Sequence, residues 1–196
     1  MPWAESESIG RGSSWWITWI AVNRLWRTAT VPRRRENRSI YAQTMALVFG
    51  YGSLADPGAG RPHRLAGWRR VWGVAMDNRV TIPGYKYYLD PAGARPAVHV
   101  AFLDVVPDAG AAVEGRAIEV EDLASLDARE RNYRRVEVGG IWVYVGLEAA
   151  RERFAAGPTV VSRAYLDGVR AALGPAFEPE PEVPVMDLTR VDVPAA

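Results

Sequence analysis

The sequence predicts an α+β fold for residues 45–196, and two observations lead to this prediction. Segments with the apolar alternation or continuous apolar runs of strands come first, and helical spacing appears mostly later. Strands and helices that are segregated along the chain favour a mostly antiparallel or mixed sheet over an alternating βαβ arrangement. Hydrophobic residues make up 48% of the 196 residues, which is enough for a sizeable core.

Four strand-like segments are expected before the first helix. ALVFGY is a continuous apolar run bounded by glycine, typical of a buried strand. The other predicted strands are WRRVWGVAMDNRV, PAVHVAFLDVVPD and AVEGRAIEV. Between the second and third strands, TIPGYKYYLDPAGARP contains Pro-Gly and Asp-Pro pairs and therefore predicts turns.

A short helix and a hairpin are expected next. EDLASLDARERN has helical spacing, and Asp122 or Ser125 could serve as its N-cap. YRRVEVGGIWVYVG predicts a hairpin whose two-residue turn is Gly139-Gly140, since that turn needs positive φ angles.

Two amphipathic helices and an extended tail complete the region. LEAARERFAAG and VSRAYLDGVRAALG have helical periodicity, and each ends at a glycine. The dense prolines of residues 175–196 favour an extended tail or a sheet edge.

Composition narrows the chemistry available to the chain. The formal net charge of +1 gives no reason to expect nucleic acid as a partner. The chain has no cysteine and only two histidines, so thiolate catalysis and most zinc sites are excluded. Any chemistry must therefore use carboxylates, hydroxyls, lysine or backbone dipoles, and neither a metal nor a cofactor is expected.

Residues 1–44 differ in composition from the rest, since they contain five of the eight tryptophans. They are interpreted as a poorly ordered leader or a non-native start, with Met45 a natural first residue. The apolar run from Trp15 to Val22 is much shorter than the roughly 20 residues of a membrane helix. A second hypothesis is an amphipathic surface segment whose tryptophans enter a membrane interface and whose arginines meet anionic lipid.

The stretch VFGYGSLAD, residues 48–56, admits three chemistries. Its G-x-G-x-x-A pattern resembles a dinucleotide-binding turn, but the prolines and glycines that follow block the helix this site needs. Ser53 could be a nucleophile with His63 or His99 as base, yet the pattern is one residue out of register with a nucleophile elbow. The third interpretation is a backbone cradle, in which exposed N–H groups bind a carboxylate or an oxyanion.

A cradle of this kind needs a group that transfers protons, and LASLDARERNYRRVEV offers one. Asp127 and Glu130, three residues apart, share a helix face. The alternative interpretation is a solvated acidic face whose ion-pair partners are the surrounding arginines.

Taken together, VFGYGSL and LDARERNY about eighty residues later resemble the gamma-glutamylcyclotransferase-like family, which includes AIG2-like and ChaC-like proteins. The resemblance covers about residues 47–173. It implies a compact mixed β-barrel with helices packed outside. It further implies that Glu130 is the catalytic general acid/base. The substrate-binding residues it implies are Tyr51, Gly52, Ser53, Leu54 and Tyr165, with Tyr133 and Tyr144 as competitors for the role of Tyr165.

The implied reaction cyclises a γ-glutamyl amide or peptide to 5-oxoproline and releases the amine, in the cytoplasm and without a cofactor. The usual glycine after the catalytic glutamate is replaced here by Arg131-Asn132. A non-catalytic small-molecule binding module on the same fold is the alternative function. The amine half of the substrate stays open, and its candidate contacts are Arg61, Arg64, Lys86, Tyr87 and Tyr88, all of which could equally be solvated loop residues.

Overall fold

The computed structural model describes residues 45–195, and this part of the chain is α+β. The strands are β1 (Ala46–Gly50), β2 (Arg61–Asp77), β3 (Lys86–Leu89), β4 (His99–Val120), β5 (Tyr133–Val138), β6 (Ile141–Gly146), β7 (Thr159–Ser162), β8 (Val185–Met186) and β9 (Thr189–Asp192). The helices are α1 (Leu123–Arg129), α2 (Glu148–Ala155) and α3 (Arg163–Leu173), followed by a 3₁₀ turn at Gly174–Ala176. The predictions for residues 1–44 lie outside the described residues.

A mixed seven-stranded sheet organises the domain. Its strand order is β5-β6-β1-β4-β7-β8, and β2 pairs with β4 off this path. β4 runs antiparallel to β1 and β2 and parallel to β7, whereas β1 is parallel to β6. Among residues 45–195 these pairings form an open path and do not close into a barrel.

β4 is one strand of 22 residues where the sequence predicted two. The turn-like residues at its middle do not end it, because β2 runs beside both halves. The register jumps from Ala66 opposite Ala112 to Trp68 opposite Pro107, so β4 carries extra residues there. Gly67, on the shorter side, has a φ of +80°, which favours glycine. The predicted break is therefore a bulge within a continuous ladder.

The segment predicted as turns contains β3. This strand pairs antiparallel with β9, about one hundred residues later, in a separate two-stranded sheet. The buried Asn78 side chain positions it, since Asn78 Oδ1 accepts from Tyr88 N at 2.7 Å and Nδ2 donates to Tyr88 O at 2.9 Å. Residues 86–89 form a strand because they pair with β9, which the local turn signals do not predict.

The hairpin and the first helix follow local rules. Gly139 and Gly140 have φ angles of 59° and 82°, as a two-residue hairpin turn requires, and β5 pairs with β6 in that register. Asp122 is the N-cap of α1 and accepts from Ser125 N at 3.0 Å. Both predictions are confirmed. Of the two residues predicted as possible N-caps, Asp122 is the one that caps α1.

The main core lies where β1, β4 and β6 meet α3. Phe49, Leu103, Val143 and Leu166 are all buried in it, none more than 2% exposed. This packing fixes the end of β1 against the first part of β4 and the start of α3. No helix among residues 45–195 is long and apolar enough to cross a membrane.

Candidate functional site

The end of β1 delivers the Tyr51–Leu54 turn to the core. Val48 and Phe49 are fully buried, and the turn closes with Ala55 N donating to Gly52 O at 2.9 Å. A Cβ at Gly50 would lie 2.6 Å from the carbonyl oxygen of Leu54. Glycine is therefore needed at position 50 because the turn folds back onto the strand that precedes it.

The structure rules out two of the three chemistries considered for this turn. The next regular element after the turn is strand β2, so the turn does not lead into a helix as a dinucleotide-binding turn requires. Ser53 is exposed, and neither histidine hydrogen-bonds to it. His63 packs edge-on against Phe49 at 5.6 Å between ring centroids, and His99 Nε2 lies 3.3 Å from Arg79 Nη2.

A cavity of about 30 Å³ lies at this end of β1. It is lined by Phe49, Tyr51, Gly52, Ser53, Leu54, Leu103, Tyr133, Tyr144 and Tyr165. The five residues that the sequence implied as substrate contacts are thus all in its wall, together with the two competitors, Tyr133 and Tyr144. Phe49 and Leu103 line the cavity but were not predicted as contacts: Phe49 belongs to the VFGYGSL motif as a strand residue, and nothing in PAVHVAFLDVV distinguishes Leu103 from other core positions.

Backbone groups of β4 and β6 orient the tyrosines around this cavity. Tyr133 Oη donates to Leu103 O at 2.7 Å, and Leu103 N donates to Tyr165 Oη at 3.4 Å. Tyr51 Oη donates to Tyr144 O at 2.5 Å. Three phenol groups are therefore held by main-chain atoms of the sheet, which keeps their positions independent of flexible side chains.

Gly52 allows Tyr165 to approach the turn. A Cβ at position 52 would lie 3.2 Å from Tyr165 Oη and 3.7 Å from Leu103 Cδ1. Any larger residue would therefore occupy part of the small cavity.

Glu130 lies at the C-terminal end of α1. Its N–H donates to Leu126 O at 2.9 Å, and its carbonyl accepts from Tyr133 N at 2.9 Å. Its carboxylate is 18% exposed, and Oε1 accepts from Arg129 Nε at 3.1 Å and lies 3.0 Å from Arg129 Nη2. The carboxylate is thus paired with a neighbouring arginine at the edge of the site, and it is not part of the wall of the 30 Å³ cavity.

The charge of Glu130 acts on the tyrosines of the cavity. Burial is the main cause that raises the pKa values of Tyr51, Tyr133 and Tyr165 above the usual value for tyrosine, and the Glu130 carboxylate raises all three further. All three phenols are therefore protonated near neutral pH and can donate hydrogen bonds. Glu130 is connected to the cavity through Tyr133, a wall residue whose N–H donates to the Glu130 carbonyl.

The residues that follow Glu130 attach α1 to the segment before β3. Asn132 is buried, its Nδ2 donates to Tyr85 Oη at 3.1 Å, and its Oδ1 accepts from Arg153 Nη2 at 3.0 Å. Arg131 Nε donates to Ala128 O at 3.0 Å. The Arg131-Asn132 pair therefore fixes the end of α1 against Tyr85.

A second cavity, of about 270 Å³, lies between β3, β9 and α1. It is lined by Gly84, Tyr85, Lys86, Ser125, Ala128, Arg129, Arg190, Asp192 and Val193. Lys86 is the one candidate contact for the amine half that lines it. Arg129 and Arg190 were not predicted as cavity residues. Arg190 reaches the cavity only through the β3–β9 pairing, which brings the C-terminal stretch here.

The other candidate contacts for the amine half are placed elsewhere. Arg61 and Arg64 are exposed on β2, outside both cavity walls. Tyr88 is 5% exposed within a core cluster, and the Arg95 guanidinium lies 4.4 Å above the Tyr87 ring. Within residues 45–195, no group of three or more His, Asp or Glu side chains is arranged to hold a metal ion.

No protein-family model and no curated protein matches the chain. Among solved structures, the solution structure of At5g39720.1 from Arabidopsis thaliana is similar over 58% of this chain and 76% of that chain, with 20% identity and a TM-score of 0.33. A likeness at this TM-score assigns neither a fold nor an activity. What the site can do is therefore argued from its own residues.

Proposed function

We propose that the protein cyclises γ-glutamyl amides or peptides to 5-oxoproline and releases the amine. The observation that carries this proposal is the cavity at the end of β1, whose wall contains the Tyr51–Leu54 turn together with Tyr165 and Tyr133, the last bonded through its N–H to the Glu130 carbonyl. The resemblance to the gamma-glutamylcyclotransferase-like family also implies a cytoplasmic location, which is part of the proposal, and a compact mixed β-barrel, for which the open path of strand pairings in residues 45–195 gives no support.

The reaction needs no nucleophile from the enzyme. The α-amine of the γ-glutamyl group attacks the γ-carbonyl carbon, so a C–N bond forms within a five-membered lactam and the original amide C–N bond breaks. Glu130 accepts a proton from the attacking ammonium and donates a proton to the leaving amine. The carboxylate is thus regenerated in each cycle, and no electrons are exchanged.

The turn supplies groups suited to the developing negative charge on the carbonyl oxygen. Within residues 45–195, the amides of Ser53 and Leu54 donate to no backbone carbonyl, whereas Ala55 N is used to close the turn. Such free amides can stabilise an oxyanion or bind the α-carboxylate of the substrate. The phenol of Tyr165 adds a donor, because it accepts from Leu103 N and keeps its own O–H, whereas the O–H of Tyr133 is used by Leu103 O.

Binding requires the cavity to widen. A volume of about 30 Å³ is close to the space that one water molecule takes in the liquid. A γ-glutamyl group is several times larger, so the wall of the cavity must move outward when substrate enters. Closing again around the substrate would orient the amine toward the carbonyl, which lowers the entropic part of the barrier.

The ion pair between Arg129 and Glu130 favours the second candidate, a non-catalytic binding module. A carboxylate that stays paired with arginine would hold the α-ammonium of an amino-acid-like ligand without transferring its proton. The two candidates differ in turnover. Release of 5-oxoproline supports the enzyme, and saturable binding of γ-glutamyl compounds without release supports the binding module.

The test is a screen for 5-oxoproline release over glutathione, γ-glutamyl amino acids and γ-glutamyl amines, with Glu130→Gln as the control. We expect release by the wild-type protein from at least one of these classes. Absence of release from every class at high enzyme concentration would overturn the proposed activity.

A further inference from the structure

The second cavity has an excess of positive charge. Three cationic side chains, Lys86, Arg129 and Arg190, line it together with one carboxylate, that of Asp192. Asp192 Oδ1 accepts from Arg190 Nε at 2.7 Å and lies 2.6 Å from Nη2, so this carboxylate is already neutralised. Arg129 in turn is paired with Glu130.

Lys86 is the cation in this cavity that has no carboxylate partner among residues 45–195. Its Nζ lies 4.6 Å from the centroid of the Phe102 ring and 5.2 Å from that of Tyr85. Burial, together with the charges of Arg190 and Arg129, lowers the pKa of Lys86 to about 8, and Glu130 and Asp192 oppose them. Contacts with aromatic faces offset only part of the cost of burying an ammonium group. An anion bound here would therefore pair with a positive charge that no carboxylate neutralises.

The two cavities have no lining residue in common, but Phe102 connects a residue of one to a residue of the other. Phe102 contacts Lys86 on one side, and its ring centroid lies 5.1 Å from that of Tyr165, which lines the first cavity. Arg129 lines the second cavity, and its guanidinium holds the Glu130 carboxylate. A group that leaves from a bond broken beside Glu130 would therefore extend toward Lys86.

We infer that the cavity between β3, β9 and α1 receives a carboxylate carried by the amine half of the substrate, with Lys86 as its main partner. This inference rests on the proposed function and names its substrate class, namely γ-glutamyl amino acids or peptides in preference to γ-glutamyl amines. The volume of about 270 Å³ is near the lower end of ligand pockets, which suits an amino-acid-sized group.

Two substrates that differ only in the carboxylate test the inference. γ-Glutamylalanine and γ-glutamylethylamine share the same scissile amide, and the second has hydrogen where the first has the carboxylate. We expect kcat/KM to be at least about tenfold higher for γ-glutamylalanine, the size of effect that a charge-assisted hydrogen bond gives. Lys86→Met should remove that preference, and Lys86→Arg should retain part of it.

The control variant is Arg69→Met, which removes one positive charge from an exposed ion pair with Asp108 and lies outside both cavity walls. It should leave the preference unchanged. Equal kcat/KM for the two substrates in the wild-type protein would overturn the inference while the cyclisation activity stands.

A binding measurement separates this inference from the proposed activity. N-Acetylalanine and N-ethylacetamide differ by the same carboxylate. The NMR signal of the Lys86 side chain, assigned by its loss in Lys86→Met, measures the binding of each compound. We expect a saturable shift with N-acetylalanine alone. If neither γ-glutamyl compound is cyclised but this shift is seen, the activity is wrong and the carboxylate site holds. No shift with either probe overturns the carboxylate site.

Discussion

The Glu130 carboxylate is paired with the guanidinium of Arg129, its neighbour in the chain, at 3.1 Å from Nε and 3.0 Å from Nη2. Adjacent residues do not face each other on a regular helix. They meet here because α1 ends at Arg129 and Glu130 has left helical geometry, with φ −88° and ψ 44°. Arg129 lines the second cavity, and Glu130 is followed three residues later by Tyr133, which lines the first.

Glu130→Gln should abolish turnover without unfolding the protein. The amide is similar in size but cannot accept and return a proton, so we expect kcat to fall by about 100-fold or more with little change in KM. A 5-oxoproline assay measures the rate, and circular dichroism checks the fold. Glu137→Gln, an exposed carboxylate on β5, is the matched control and should keep the parental rate. Parental turnover in Glu130→Gln would contradict the mechanism.

Gly52→Ala should impair substrate binding more than stability. The added methyl group would lie 3.2 Å from Tyr165 Oη and would reduce a cavity of about 30 Å³. We expect kcat/KM to fall about tenfold, with partial recovery when Tyr165→Phe removes the hydroxyl group. Gly110→Ala is the control, because the nearest atom to its added Cβ is 3.7 Å away. A kcat/KM equal to that of the control would show that the turn does not contact the substrate.

Asp104→Asn should destabilise the fold strongly. Asp104 is fully buried, and its carboxylate accepts from Gly146 N, Val105 N and Arg151 Nε, each at 2.8 Å. Loss of a buried charge that leaves its partners uncompensated costs about 3 kcal/mol or more of the free energy of unfolding. The control Asp108→Asn removes an exposed partner of Arg69 on the same strand and should cost less than about 1 kcal/mol. Urea unfolding of both variants measures the difference, and equal losses would be evidence against this account.

Lys86 should make stability depend on pH above about 8. Its pKa is lowered to about 8 from the usual 10.5, first by burial and then by Arg190. Between these values the folded state binds fewer protons than the unfolded chain, so the Lys86 contribution to the free energy of unfolding becomes more favourable as the pH rises.

Urea unfolding of the wild-type protein and Lys86→Met at several pH values from about 7 to 10 checks this expectation. The free energy of unfolding of the wild type minus that of Lys86→Met should increase as the pH rises through this window. Arg69→Met should differ from the wild type by a constant amount. A constant difference for Lys86→Met as well would mean that Lys86 titrates normally.

Local signals predicted much of the fold and part of the site. The Gly139-Gly140 turn and the Asp122 cap are set by the chemistry of adjacent residues, which is visible in the sequence. The Tyr51–Leu54 turn follows from an apolar strand that ends in glycine. Strand β3 was not predicted, because its order comes from pairing with β9.

The sequence by itself determined the local elements, the lack of thiol chemistry and the two motifs that suggest a γ-glutamyl site. Only the tertiary structure decided that β4 is continuous, that Leu103 orients Tyr133 and Tyr165, and that Lys86 lies in a cationic cavity. The physical reason is the range of the interactions. Caps and turns depend on neighbours in the chain, whereas cavities and burial depend on segments that meet only when long-range strand pairing is complete.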